Sequence, residues 1–248
     1  MSVKPVRIAM WSGPRNISTA MMRAWENRRD CQVWDEPLYG YYLKSTGIDH
    51  PGADEIIADH GSDWRTITRQ CIEGNAQNKA IFYQKHMTLH LLDEVDRSWL
   101  SSLQNCFLIR EPERVIASYA TVRSEATLED IGFIQQAELF DYVANLTGRI
   151  PIVIDSKAFL QNPEAMLKLI CIKLEIEFDP LMLNWPAGPR ASDGIWAKHW
   201  YASVCQSTGF AAPREKPLNL SAKDTGIAAK ARPYYEHLYQ HRLQLSQN

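Results

Sequence analysis

The stretch from Val6 to Arg23 constrains the fold more than any other. A short apolar run, Val-Arg-Ile-Ala-Met, leads into the polar turn Trp-Ser-Gly-Pro-Arg-Asn-Ile-Ser-Thr and then into helix-forming residues. A strand, a tight turn and a helix in that order open a parallel α/β sheet with right-handed crossovers. The turn is also suited to an anion. The first N–H groups of a helix lack intrahelical partners, and the helix dipole adds roughly half a positive charge there. Gly13 and Pro14 suit the tight turn, Ser18 and Thr19 can cap the helix and offer hydroxyls, and Arg15 brings a full charge.

The usual nucleotide loop reads Gly-x-x-x-x-Gly-Lys-Ser/Thr, with the lysine on the β/γ-phosphates and the hydroxyl on magnesium. Here Ile17 and Ser18 stand where Gly-Lys would be. The stretch therefore reads as a phosphate cradle that does not hold a metal-bound triphosphate. The plainer alternative is an ordinary strand–turn–helix with a solvated arginine.

Further apolar runs at Gln32–Trp34, Ala80–Tyr83, Cys106–Ile109 and Ile152–Ile154 bring the count to about five parallel strands with helical crossovers. Helices are expected over Ser18–Arg29, Trp64–Asn75, Glu113–Thr121, Leu128–Gly148, Pro163–Glu175 and Pro233–Leu245. Residues 45–62, with Gly47, Pro51, Gly52 and Gly61, read as a variable loop. His50, Asp54, Asp59 and His60 within it match no metal-ligand spacing. From Asn184 to Lys216 the chain turns rich in Trp, Pro, Gly and Ser, which fits a lid or acceptor wall, or a subdomain packed over the sheet.

Three strand ends carry polar residues at the edge where open α/β sheets bind ligands. After Trp34 come Asp35 and Glu36, with Pro37 expected to hold Glu36 extended. After Tyr83 come Gln84, Lys85 and His86, where Lys85 can steady negative charge and His86 can act as a base near neutral pH. After Ile109 comes Arg110, where an ATPase would carry a magnesium-binding aspartate. An arginine there calls for an anion instead. Ser118, two helical turns on, can bracket one phosphate with it, and Arg114 is a third contact within reach. His90 is given no role.

The 248 residues suit one α/β domain, taken as residues 1–248, and a formal net charge of −2 argues against non-specific nucleic-acid binding. The five cysteines are scattered without Cys-x-x-Cys spacing, so they read as buried thiols of a reducing compartment rather than disulfides or a zinc site. Lys4 and Arg7 interrupt the N-terminal apolar residues, so neither a signal peptide nor a membrane anchor is expected, and a cytoplasmic enzyme is the default. No feature marks an oligomeric state.

Pro14-Arg15-Asn16-Ile17-Ser18-Thr19 resembles the 5′-phosphosulfate loop of the cytosolic-type sulfotransferases, and Arg110 with Ser118 resembles the 3′-phosphate motif of the same family. Asp35-Glu36-Pro37 is similar to the segment that supplies a carboxylate base in some bacterial members, and Lys85-His86 to the Lys/His strand end of others. The resemblance implies a three-layer P-loop fold, the donor 3′-phosphoadenosine 5′-phosphosulfate, no metal, and sulfuryl transfer to a hydroxyl or amine of a small-molecule acceptor. It implies that Gly13, Pro14, Arg15, Asn16, Ile17, Ser18, Thr19, Arg110 and Ser118 bind the donor. Glu36 or His86 would remove the acceptor proton, with Lys85 and Arg15 on the bridging and leaving oxygens. The loop lysine typical of the family is Arg15 here, and Gly188-Pro189-Arg190 stands in for its Arg-Lys-Gly closing segment. Two other readings compete. In one, Asp35 or Asp155, each ending an apolar strand, holds magnesium in a P-loop kinase or NTPase. In the other, the fold binds nucleotide without catalysis.

Overall fold

The computed structural model describes residues 5–74, 79–120, 126–213 and 218–245. Asn75, Thr121 and residues 214–216, which end three of the expected segments, lie outside them. The chain opens with β1 (Val6–Ser12), α1 (Ser18–Glu26), β2 (Cys31–Asp35), α2 (Tyr39–Thr46), α3 (Ala53–His60), α4 (Trp64–Glu73) and β3 (Ile81–Met87). It continues through β4 (Gln104–Ile109), α5 (Pro112–Tyr119), α6 (Phe133–Thr147), β5 (Ile152–Asp155), α7 (Ser156–Gln161) and α8 (Pro163–Lys173). Two short helices, α9 (Ala197–Trp200) and α10 (Ala202–Cys205), precede the long α11 (Ala222–Tyr239).

The five strands form one parallel sheet in the order β2-β3-β1-β4-β5. The strand order reverses beside β1, between its neighbours β3 and β4, which is the switch point where such sheets bind ligands at their carboxyl ends. The loop after β1 and Arg110 after β4 both lie there.

Both faces of the sheet are covered, and the pleat decides which side chain goes where. Ala9 and Trp11 of β1 pack with α4, α5, α6 and α11. Ile8 and Met10 pack on the other face with α1, α2, α7 and α8. The segment from Asn184 to Phe210 lies on this second face, with Trp185, Trp196 and Tyr201 buried in the core.

Several expected boundaries differ, among them the start of α6, at Phe133 rather than Leu128. Residues 45–62 are not loop throughout: α2 ends at Gly47, whose φ is 62°, and α3 starts after Gly52, whose φ is 78°. Only Ile56 of α3 is buried, so the helix leaves little periodic signal. The last helix starts at Ala222, capped by Ser221, whose hydroxyl accepts from the Asp224 amide at 3.1 Å. Pro233 sits inside that helix rather than at its start, and Leu245 lies beyond it, 38% exposed. The short helix α7 arises because Asp155 accepts from the Ala158 amide at 2.9 Å. Among the described residues no helix is long and apolar enough to cross a membrane.

Gly13 earns its place by packing. A Cβ there would meet the Ile131 carbonyl oxygen at 2.8 Å, a backbone atom that cannot swing aside. Gly13→Ala is expected to destabilise the fold by about 1–3 kcal/mol, the usual range for overpacking. The urea midpoint measures it, and an unchanged midpoint would show that the loop shifts freely.

Candidate active site

The turn after β1 is tied down from beneath. The Asn16 amide nitrogen donates to the Leu108 carbonyl at 3.0 Å, while its oxygen accepts from the Ile17 amide at 2.9 Å. Asn16 is thereby occupied in holding the turn to β4. Ile17 takes the cap position of α1 and no side chain caps that helix, so the expectation that Ser18 or Thr19 would cap it is corrected. The first-turn amides of α1 remain for a ligand.

Arg15 adopts φ 56°, a left-handed conformation that a non-glycine residue rarely takes without support. The support comes from Arg110, whose guanidinium donates to the Arg15 carbonyl. Arg15 Nε in turn donates to Ser118 Oγ at 3.0 Å, across 103 residues of sequence. Burial pushes the pKa of both guanidiniums down. For Arg110 the charges of Arg114 and Arg15 add to the effect, against a smaller opposing pull from Glu111. Both stay protonated, as arginine does. Two half-buried cations brought together beside an uncapped helix start make a strongly anion-seeking corner. Arg114 itself is turned to Glu111, 3.1 Å away.

This corner is one end of a cavity of about 830 Å³ whose lining includes Pro14, Arg15, Asn16, Ile17, Ser18, Thr19, Arg110 and Ser118. Glu36 and Lys85 line the same cavity, together with Tyr39, Tyr42, His90, Trp196, Trp200 and Tyr201. Gly13, His86 and Arg190 do not line it. Arg190 belongs to a surface turn, its amide donating to Asp193 Oδ2 at 2.8 Å, while Asp193 pairs with the buried Arg23 at 2.6 Å.

The region of Glu36 is organised by Lys85. The ammonium donates to Asp35 Oδ1 at 2.9 Å, to the Tyr201 hydroxyl at 2.8 Å and to Glu36 Oε1. An ammonium has three N–H donors, so all are engaged. Tyr201 donates onward to Asp35 Oδ2 at 2.6 Å, and the Gly194 amide donates to the same oxygen at 3.3 Å. Desolvation alone would lower the Lys85 pKa, but the charges of Asp35 and Glu36 outweigh it and raise it well above the usual lysine value. Lys85 is thus a fixed cation that holds Glu36. Glu36 is not extended either. Its φ is 44°, because its amide still donates to the Lys85 carbonyl at 2.8 Å while its own carbonyl accepts from the Tyr39 amide at 3.0 Å. That pair of hydrogen bonds turns the chain sharply out of the strand and aims the carboxylate into the cavity.

His86 is the clearest correction. The strand continues to Met87, so Lys85 and His86 point to opposite faces of the sheet. His86 is 1% exposed, stacks on Trp11 at 4.3 Å and meets Gln84 Oε1 through Nε2 at 3.1 Å. Burial, with lesser contributions from His90 and Lys85, lowers its pKa from 6.5 to about 3. It is a neutral core residue. His90, given no role from sequence, lines the cavity, as does His50. The signal for His90 is the spacing past β3: a 3₁₀ turn over Thr88–His90 returns the chain to the face that Lys85 occupies.

The two acids that favoured a magnesium site are both engaged. Asp35 is bound as above, and Asp155 caps α7 and accepts from the Tyr235 hydroxyl at 3.0 Å. Among the described residues no group of three or more His, Cys, Asp or Glu comes together as a metal site.

The sulfotransferase-domain family model matches residues 6–242. The chain is 33% identical over 238 residues to branched-chain-amino-acid aminotransferase-like protein 1 of Arabidopsis thaliana, covering 96% of this chain and 42% of that protein. It therefore spans less than half the length of that relative. Among solved structures it is similar to a sulfotransferase from Alicyclobacillus acidocaldarius, at 10% identity and a TM-score of 0.54, covering 98% of each chain. It is also similar to the sulfotransferase domain of the Synechococcus PCC 7002 olefin synthase, at 16% identity and a TM-score of 0.50, covering 92% of this chain and 94% of that one. At these identities the structural likeness is one of fold.

The titration of His86 has a readable consequence. As pH falls from 6.5 towards about 3, the unfolded chain takes up a proton that folded His86 refuses. Stability present above pH 6.5 is then lost by up to about 1.4 kcal/mol per pH unit. His86→Phe, which keeps a ring on Trp11, is expected to show a shallower fall of the urea midpoint between about pH 6.5 and 4.5. A fall as steep as that of the wild type would place the titration elsewhere.

Proposed function

The chain belongs to the sulfotransferase family, and on that premise we propose that it transfers the sulfuryl group of 3′-phosphoadenosine 5′-phosphosulfate to a hydroxyl or amine of a small acceptor. One observation carries the reading. Arg15, Arg110 and Ser118 meet beside the uncapped start of α1 in the same cavity that holds Glu36.

In this reading the α1 amides, Arg15 and the hydroxyls of Ser18 and Thr19 hold the 5′-phosphosulfate, and Arg110 with Ser118 holds the 3′-phosphate. The acceptor atom attacks sulfur in line. Its bond to sulfur forms as the bond from sulfur to the bridging oxygen breaks, and that electron pair leaves on the 5′-phosphate. Guanidinium and amide donors fixed before the reaction favour the charge that develops there. The acceptor proton passes to Glu36, whose carboxylate Lys85 keeps in place. Tyr39, Tyr42, Leu43, Ile48, Leu92 and Trp200 supply an uncharged wall, which suits a neutral acceptor with apolar surface.

A thermal-shift titration with adenosine 3′,5′-bisphosphate, beside magnesium-ATP, tests the donor. At 100 times its dissociation constant the bisphosphate is expected to stabilise the fold by about 2.7 kcal/mol. For a chain of this size that is a rise of about 5–10 °C. Arg110→Ala is expected to abolish the rise while leaving any response to adenosine 5′-phosphate. Stabilisation by magnesium-ATP alone would replace the reading with a kinase.

Glu36→Gln tests the base. Sulfate release from the labelled donor, with water as acceptor, is expected to fall about 100-fold or more, with the bisphosphate shift preserved. An unchanged rate would remove Glu36 from the chemistry.

A further inference from the structure

The ring of His90 lies between Tyr39 and Tyr42, with centroids 4.3 Å and 4.8 Å away and planes inclined by 11° and 29°. This stack fixes the plane of the imidazole. In that plane Nδ1 is buried with no hydrogen-bond partner among the described residues, and it stands 3.7 Å from Glu36 Oε2. A buried ring nitrogen without a partner is uncommon and calls for an explanation.

Besides the two stacked tyrosines, five charged or titratable groups act on it: Lys85 and His86 on β3, Glu36 just past β2, His50 ahead of α3 and His60 at its end. Burial first, then the charge of Lys85, then His50 and His60, push the His90 pKa well below the ordinary histidine value. The ring is neutral at pH 7, so its approach to Glu36 is not an ion pair. A neutral imidazole facing a carboxylate is favoured with its proton on the near nitrogen, because a bare lone pair there would face a negative oxygen.

We propose that His90 is a positioning residue for Glu36, its Nδ1–H directed at Oε2 while Lys85 holds Oε1. The carboxylate is then held through both oxygens by groups on two segments. The separation is longer than a hydrogen bond, and it shortens when an acceptor fills the cavity, as site hydrogen bonds commonly do on substrate binding. Oε2 keeps a second lone-pair site for the acceptor proton. The role in transfer rests on the sulfuryl-transfer reading above, whereas the contact itself does not.

The test uses the full chain labelled with ¹⁵N-histidine. Long-range proton–nitrogen spectra at pH 7 are expected to show His90 protonated on Nδ1, still neutral at about pH 5.5, with its Nδ1 signal displaced by Glu36→Gln. Protonation on Nε2 alone, or a Nδ1 signal indifferent to Glu36→Gln, would overturn the proposal. In the sulfate-release assay with water as acceptor, His90→Phe keeps a ring in the stack but donates nothing. It is expected to lower kcat about tenfold or more with the donor KM unchanged. His90→Asn, whose amide can offer an N–H near the same place, is expected to recover most of that loss. Equal rates for the two variants would reduce His90 to packing. If adenosine 3′,5′-bisphosphate does not bind the wild type, the donor reading falls while the tautomer result still decides the contact.

Discussion

The site depends on one buried ammonium. Lys85 is 1% exposed, and a lone cation at that depth would lose far more hydration than the fold can spare. Asp35 and Glu36 make it tolerable, and Tyr201 fills its third donor position. Each partner comes from a different place: the end of β2, the turn beyond it and the segment packed over the second sheet face. Satisfying one ammonium therefore fixes three pieces of chain relative to one another. The left-handed turn at Glu36 and the docking of Tyr201 follow from the same requirement.

The pleat then divides the neighbours of Lys85. Side chains along a strand alternate, so residues 85 and 86 cannot serve one site while both remain in β3. Lys85 goes to the face of Tyr83 and Ile81, and His86 goes to the face of Trp11 and Trp99. A histidine in that apolar stack is stable only as the neutral ring. The histidine that returns to the cavity is four residues further on, after the strand has ended and the chain has turned through one 3₁₀ turn.

The strand–turn–helix at the start and the arginine after β4 were legible in the sequence because they depend on local order: an apolar run, a turn, a helix start. The five-strand parallel sheet followed from the same local units. What was not legible depends on where strands stop. The polar residues Gln84, Lys85 and His86 looked like a strand end, yet each is buried, and tertiary partners carry the strand through them. The loop sequence also did not show that Asn16, which lines the cavity, ties the turn to Leu108, or that Gly13 admits Ile131. Arg190 sits in a turn built on Arg23 and Asp193, a contact across 170 residues that no local pattern announces.

The charges of the cavity are distributed in a way that bears on the proposed chemistry. The donor corner carries two guanidiniums whose charge is left for a ligand, since Arg15 is engaged with a hydroxyl and Arg110 with a carbonyl. Around Glu36 the balance is negative: one ammonium faces two carboxylates. An anionic ligand is therefore drawn to the first region and gains little in the second, where a neutral group enters against aromatic walls. A carboxylate beside an ammonium is a modest base, and it becomes effective as the attacking atom loses electron density to sulfur and its proton grows acidic. In the proposed transfer, proton removal is thereby coupled to bond formation: Glu36 takes the proton as sulfur moves, and the arginine corner holds the phosphate onto which the electron pair departs.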